Sequence, residues 1–465
     1  MQRRLGCLIG GIALAATLGG CSLAPDYVRP ASPVPPAFPP ADTAAGAPLA
    51  TDVAWQAYFT DARLRTVIEQ ALANNRDLRA ATLNIDRAQA LYRIQRAELF
   101  PAVSAGANVS TQRIPEEVAR DGEAYTSTQY TVALGVSGWE IDLFGRLRSL
   151  KAAALERYLA TEQAAVATRL ALVASVAQAY LTRAADAESL QLAKATLEAL
   201  QSSLALIQKS RDLGIASDLE LNQIKSQVEA ARANVARYTA LVAVDLNTLQ
   251  VLVGAPVAPD LLPDALAAVT PPQPIAAGLS SEVLLRRPDI LSAEYLLRSA
   301  NANIGAARAA FFPRISLTMG VGIASSELSS LFGGGTGMWT FAPQIMQPIF
   351  NSGSLKARVR VSELDREIAV AGYEKGIQVA FAEVSNALTY RQTLVSQREA
   401  QEALVTALEA TYRLYDARFK AGLDGYLGVL VAQQALISAQ QALVGVRLSE
   451  QANLVTLYKV LGGGV

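Results

Sequence analysis

Histidine is absent from the 465-residue chain, and cysteine occurs only at Cys7 and Cys21. Without imidazole there is no histidine general acid or base, no Ser-His-Asp or Cys-His nucleophile, and none of the commonest metal ligand. An enzyme is therefore the weakest reading, and no cofactor is expected beyond a covalent lipid. An excess of one charge is also missing, because 41 basic residues balance 41 acidic ones. No basic face is implied, which argues against nucleic acid as a partner. Glycine and proline are missing over long stretches, and that absence organises the chain. Residues Arg146 to Leu213, 68 in all, contain neither, so nothing interrupts a helix about 100 Å long at about 1.5 Å per residue. Charges at Arg157, Glu162, Arg169, Arg183, Asp186 and Glu188 argue against such a helix lying in hydrocarbon. It needs neighbouring helices along its length instead.

The first residues carry the parts of an export signal: Arg3 and Arg4, an apolar run from Leu5 to Leu18, then small residues. Residues 1–20 are read as a signal peptide. Leu18-Gly19-Gly20-Cys21 resembles the lipobox of bacterial lipoproteins, which implies that Cys21 becomes the lipid-bearing first residue of the mature chain. An ordinary signal peptide with a chance cysteine is the alternative. Ser22 in place of aspartate implies, by the same resemblance, release to the outer membrane. Cys7 falls in the removed segment, so no disulfide is expected. Residues 21–60 form a leader with prolines at 25, 30, 33, 35, 36, 39, 40 and 48, too many for helix or inner strand. It is expected to be extended and to hold the body some distance from the lipid.

A helical stretch from Asp61 to Leu99 stops at Pro101. The period then changes to two. Val103, Ala105, Ala107 and Val109 alternate with Ser104, Gly106, Asn108 and Ser110, and Tyr130, Val132, Leu134 and Val136 alternate with Thr131, Ala133, Gly135 and Ser137. Two such strands suit an outer-membrane hairpin (101–140) with Trp139 and Phe144 near an interfacial girdle. A half-buried soluble hairpin has the same pattern. The long helix 146–213 breaks at Gly214, and a second helix, 215–253, ends at Gly254 before a proline-rich linker.

The second half, 280–465, repeats the first, 61–279. Asp289 to Pro313 matches Asp77 to Pro101 with a constant shift of 212, and a second hairpin (313–350) follows. A helix over 354–421 again spans 68 residues, and a helix over 426–461 ends at Gly462. Gly372 and Gly376 inside the long helix suggest close backbone packing or simple tolerance, each at about 1 kcal/mol. The lengths suggest that shorter helices stack end to end beside the long ones, 215–253 with 289–311 and 426–461 with 76–99. Their breaks would form a mixed equatorial belt. The fold class expected is mainly α with a small β part: an internally duplicated, long-helix α-barrel plus four strands per chain. Four strands leave open edges, which a bilayer forbids. Closure by a homotrimer, giving a twelve-stranded transmembrane β-barrel, is the simplest solution.

With these features in place, the chain resembles the outer-membrane factors of the TolC type, in their NodT or OprM-like lipoprotein branch. The resemblance is carried by Cys21-Ser22-Leu23-Ala24-Pro25-Asp26-Tyr27, Ala73-Asn74-Asn75-Arg76-Asp77-Leu78, Leu143-Phe144-Gly145-Arg146, Leu285-Arg286-Arg287-Pro288-Asp289-Ile290, Phe311-Phe312-Pro313 and Arg418-Phe419-Lys420-Ala421-Gly422. It implies an outer-membrane exit duct of a tripartite RND-type efflux pump, passing small molecules such as drugs or toxic compounds. Its partners would be two further copies of itself, a periplasmic adaptor, an inner-membrane RND transporter and outer-membrane lipid. A duct for type I protein secretion is the nearer rival, and a non-pore coiled-coil lipoprotein of the envelope the more distant one.

By the same resemblance the two helix–helix turns cluster at the periplasmic tip and narrow the pore. Gate candidates are Asp218 and Glu220 in the first turn and Asp424 and Leu427 in the second, with Arg211 and Arg418 as their partners. Acidic groups repeated threefold about an axis would raise one another's pKa. Asp218 could equally do no more than cap its helix. Leu430-Val431-Ala432-Gln433 stands where relatives commonly carry Leu-Asp-Ala-Gln, so Val431 offers an apolar constriction instead of a charge. Gly214 and Gly422 are expected to take positive backbone angles and to lie where the adaptor docks.

Overall fold

The computed structural model describes residues 22–38, 48–276 and 280–464. The eight helices among them are α1 Trp55–Tyr58, α2 Ala62–Asn74, α3 Arg76–Ala97, α4 Arg146–Asp212, α5 Asp218–Val253, α6 Pro288–Ala309, α7 Ser354–Lys420 and α8 Tyr426–Val460. The strands are β1 Val103–Ile114, β2 Tyr125–Glu140, β3 Arg314–Ser325 and β4 Gly337–Met346. The chain divides into two compact units, each assembled from three stretches. The first draws on Met1–Ala31, Asn84–Glu162 and Ser292–Tyr373, the second on Ser32–Leu83, Gln163–Leu291 and Glu374–Val465.

The duplication is plain in the elements. Both long helices, α4 and α7, have 67 residues, and α3 and α6 have 22 each. Of the two glycines inside α7, an added Cβ at Gly376 would meet Ile290 Cδ1 at 3.3 Å, whereas at Gly372 it would meet nothing. Close packing explains the first, and tolerance the second. Both α4 and α8 contain a window of mean hydropathy 1.4, apolar enough by composition to cross a membrane. In α4 the residues Val173, Val176, Ala177, Tyr180 and Leu181 are buried within the second unit, to which they belong, so this apolarity serves packing.

The first unit holds one four-stranded antiparallel sheet in the order β1-β2-β3-β4. Each hairpin pairs within itself, and the duplicated copies join through β2 and β3, from Tyr130↔Ser325 to Glu140↔Ser316. The seam is lined by glycines: Gly135 faces Gly320, and a Cβ on Gly135 would fall 2.5 Å from the Met319 carbonyl oxygen. A bulge between Val136 and Trp139 coincides with Gly138 at φ 63°. At the base of the sheet, Glu140 accepts two hydrogen bonds of 2.8 Å from Arg146 and lies 2.5 Å from Arg314. One nearly buried carboxylate thereby ties the end of β2 to the starts of α4 and β3. Phe144 stacks on Phe312 at this junction, centroids 4.7 Å apart.

In the second unit the stacking of short helices differs from the expected pairing. The expectation matched α5 with α6, and α8 with α3, on length alone. Instead each helix meets its mate from the same repeat. Asn75, between α2 and α3, caps α3 by accepting from the Leu78 amide at 2.8 Å, and its Nδ2 donates to the Leu252 carbonyl near the end of α5 at 2.8 Å. In the second repeat Arg287, the equivalent position 212 residues on, donates to the Val460 carbonyl at the end of α8 at 2.8 Å. Orphan donors at one helix start and orphan carbonyls at another helix end are thus satisfied at a single joint. Gly254 (φ 74°) and Gly462 (φ 82°) close α5 and α8 in the left-handed region at these joints. Around them Leu49 bridges Ala276 and Ala54 bridges Gly464. Tyr58 stacks on Tyr458 at 4.2 Å, and the single Tyr458 O–H lies within hydrogen-bond distance of both the Val53 and Gly464 carbonyls, at 2.8 and 2.9 Å. These short bridges and irregular segments form the expected mixed belt.

Residues 255–276 are irregular apart from short 3₁₀ turns at Pro259–Leu261 and Leu266–Ala268. Within the first unit the leader residues Leu23 to Arg29 are bonded to α6.

Candidate functional site

Two features of the structure have functional geometry: one face of the sheet, in the first unit, and the pair of helix–helix turns, in the second. The register brings the apolar positions of all four strands to one side. Ala105 pairs with Leu134, Leu134 with Val321, and Val321 with Trp339. One layer along, Val103, Val136, Met319 and Phe341 line up in the same way. Most of this face is open: Val103, Leu134, Val321, Trp339, Phe341 and Ile345 are each more than half exposed. The opposite side carries Ser104, Gly135, Gly320 and Thr340 in one layer, and is mostly small or polar, with Met338 and Met346 as its large apolar side chains in β4. A soluble hairpin would bury the apolar side. Here it is presented outward over strands of 10 to 16 residues, the length that crosses a bilayer when tilted. β1 and β4 remain as unpaired edges.

At the turns, Gly214 and Gly422 take φ of 74° and 71°, and a Cβ on either would meet nothing. They are needed for the backbone reversal, not for close packing. Each turn is closed by its own ion pair. Arg211 Nε donates to Asp218 at 2.9 Å, and Arg418 donates to both oxygens of Asp424 at 2.5 and 3.0 Å. The helix after the first turn is capped by Ser217, whose hydroxyl accepts from the Glu220 amide while the Glu220 carboxylate accepts from the Ser217 amide. Ser217 therefore holds the capping role considered for Asp218. Glu220 is engaged in the box, and Asp218 is the first helical residue. Within the single chain the Arg418 guanidinium beside Asp424 holds its carboxyl below the usual carboxylate range, against a smaller opposing effect of burial. That is opposite in direction to the mutual raising expected of an acidic ring.

Behind the turns the two hairpins share a core of Leu200, Ile207, Leu221, Ile224, Tyr426 and Val429. Tyr426, Val429, Leu430 and Gln433 form the buried seam of α8, spaced as one helix face. Leu427 and Val431, also i and i+4, lie on another face at 52% and 59% exposed. They line an open groove of about 1000 Å³ with Leu414, Tyr415, Arg418 and Asp424. Tyr415 rests on Gly428, where a Cβ would fall 2.7 Å from its ring.

Cys21 lies outside the described residues. Two features escaped the sequence reading. The joints at Asn75 and Arg287 were discernible only through the 212-residue shift, because Asn and Arg share no chemistry that marks them as equivalent. The docking of Tyr27 and Arg29 on Glu294 carried no local signal, since 265 residues separate Arg29 from Glu294.

The chain matches the model of the outer membrane efflux protein family over residues 67–255 and 279–463, one stretch in each repeat. It is 49% identical to the probable efflux pump outer membrane protein TtgC of Pseudomonas putida, over 97% of this chain and 95% of that one. Among solved structures it is similar to a membrane protein from Pseudomonas aeruginosa, with TM-score 0.90, 40% identity, and 96% and 98% of the two chains covered. It is also similar to the open state of the Neisseria gonorrhoeae MtrE outer membrane channel, with TM-score 0.87, 37% identity, and again 96% and 98% covered. Apolar strands facing outward, paired long helices and these likenesses agree: the chain belongs to the outer membrane efflux protein family and is an efflux-pump channel of the outer membrane.

Proposed function

We propose that three copies of this chain close a twelve-stranded barrel in the outer membrane and a helical duct beneath it. The exposed apolar sheet face with its two unpaired edges carries this reading. A four-stranded sheet in hydrocarbon leaves the backbone groups of β1 and β4 without partners, at several kcal/mol each, and rotation about a threefold axis joins β4 of one copy to β1 of the next. Native mass measurement in mild detergent tests it. Three chains per particle is the expected result, and a stable monomer overturns it.

The duct is proposed to serve a tripartite pump, with a periplasmic adaptor meeting the turns at Gly214 and Gly422 and an inner-membrane RND transporter supplying the energy. Its cargo is small molecules such as drugs and toxic compounds, selected mainly by that transporter. The chain itself performs no chemistry and needs no cofactor. Cys21 carries the lipid that adds a second attachment to the membrane. Leu427 and Val431 form the apolar part of the gate, and the pairs Arg211–Asp218 and Arg418–Asp424, with Glu220, hold the turns in the closed arrangement. Leu427→Ala or Val431→Ser should raise the open probability of single channels. Unchanged opening in both variants would remove these residues from the gate.

A further inference from the structure

The first unit contains a charged cluster that neither the barrel nor the turns require. The Glu294 side chain is 3% exposed on α6, yet it is surrounded by donors. Arg29 binds both its oxygens at 3.1 and 2.8 Å, the Tyr27 hydroxyl donates at 3.1 Å, and Arg298, one turn along, donates at 2.7 Å. Arg298 also lies over the Tyr27 ring, 4.9 Å from its centroid. Burial alone would raise the Glu294 pKa, but the two guanidinium groups override it and hold the carboxyl below its ordinary value.

The contacts continue in order. Asn301 Nδ2 donates to the Pro25 carbonyl at 2.7 Å, and Arg308 Nη1 reaches the Leu23 carbonyl at 3.5 Å. At Gly305 a Cβ would fall 2.7 Å from the Ala24 amide nitrogen and 2.7 Å from Ser149 Oγ, so only glycine leaves room for the leader backbone. As the leader is followed back from Arg29 to Leu23, its partners advance from Glu294 to Arg308. Six leader residues at about 3.1 Å each give about 19 Å, and fourteen helical residues at about 1.5 Å each give about 21 Å. An extended leader and the helix therefore keep step along the whole contact.

We infer that the Glu294–Arg298–Asn301–Gly305 stripe of α6 is a docking site for the chain's own leader, latched by Tyr27 and Arg29. It holds the lipid-bearing end at the level where α6 gives way to β3. The attachment is then a strap of fixed length, not a loose tether, and it sets the height of the lipid against the strand that enters the membrane. The docking site rests on the described contacts, and the lipid rests on the proposed modification of Cys21.

The test uses the full chain in lipid vesicles, with spin labels on Val28→Cys and Leu296→Cys, both exposed positions. A short, narrow distance within each chain is expected, apart from the longer distances between the three copies. Adding Glu294→Gln, or separately Gly305→Leu, should replace it with a broad distribution while the trimer persists. A broad distribution without either substitution overturns the inference, whether or not the variants fold. So does a narrow distance that survives in both. The intact mass of the mature chain reports the lipid on Cys21 independently, so loss of that reading would not be mistaken for failure of the strap.

Discussion

At the scale of single residues, Arg287 bears the greatest concentration of duties. Its side chain is 10% exposed, and it binds Asp289 at 2.7 Å, Glu383 at 2.9 Å and the Val460 carbonyl. Arg287→Leu would strand these partners. Because Asp289 and Glu383 are nearly half exposed, the cost should fall below that of a fully buried pair, at about 2 kcal/mol, read as a lowered Tm of the detergent-solubilised protein. Asn75→Ala, at the equivalent joint, removes a neutral cap and should cost about 1 kcal/mol. Equal losses would contradict this ranking. The pH dependence follows from Asp289. Burial works to raise its pKa, but Arg287 outweighs it and holds the group below the ordinary carboxylate value. Its stabilisation is complete above the unfolded value of about 3.9 and is lost as pH falls through the folded pKa. As pH falls below about 4, through the lowered pKa of Asp289, the unsubstituted protein should therefore lose more Tm than Arg287→Leu, which has already lost the interaction. Parallel curves would sink the assignment.

At the scale of elements, the two kinds of glycine stop can be told apart. Gly214 and Gly254 share φ 74°, so replacing either by alanine imposes the same left-handed strain, about 1–2 kcal/mol. At Gly254, however, the new Cβ would also sit 2.5 Å from the Asn74 carbonyl oxygen, whereas at Gly214 it would meet nothing. Gly254→Ala should therefore lower Tm clearly more than Gly214→Ala, and equal losses would mean that the joint is not closely packed. The elements themselves were largely legible in the sequence. The gap without glycine or proline after Arg146 marked α4 to within a residue, and alternation over Val103–Val109 marked β1. The pairing of short helices was not legible, because length matching has no access to the side-chain bonds at Asn75 and Arg287 that choose the mate. The strap was missed because a proline-rich stretch reports extension alone and not what it lies upon. For the turns, Arg211 and Arg418 came from the family resemblance, and the structure pairs them with Asp218 and Asp424. The cap was not legible, since Ser217 and Glu220 had to be seen bonding each other.

At the scale of the whole molecule, the two sides of the sheet differ in chemistry. Its apolar side is exposed and its small, polar side holds Gly135, Gly320 and Thr340, which fits lipid outside and water inside. Placing a charge on the lipid side should disrupt insertion, whereas the same charge on the other side should be tolerated. Val321→Arg should cost about 2–4 kcal/mol near mid-membrane and reduce the yield of membrane-inserted protein. Thr340→Arg should leave the yield unchanged, and the reverse order would mean that the faces have been assigned the wrong way round. The most direct measurement is single-channel recording of the purified protein after insertion into a planar bilayer. Discrete conductance steps, small or infrequent while the turns are intact, are the result that a barrel shared among copies predicts. A bilayer shown to contain the protein but passing no stepwise current would contradict it.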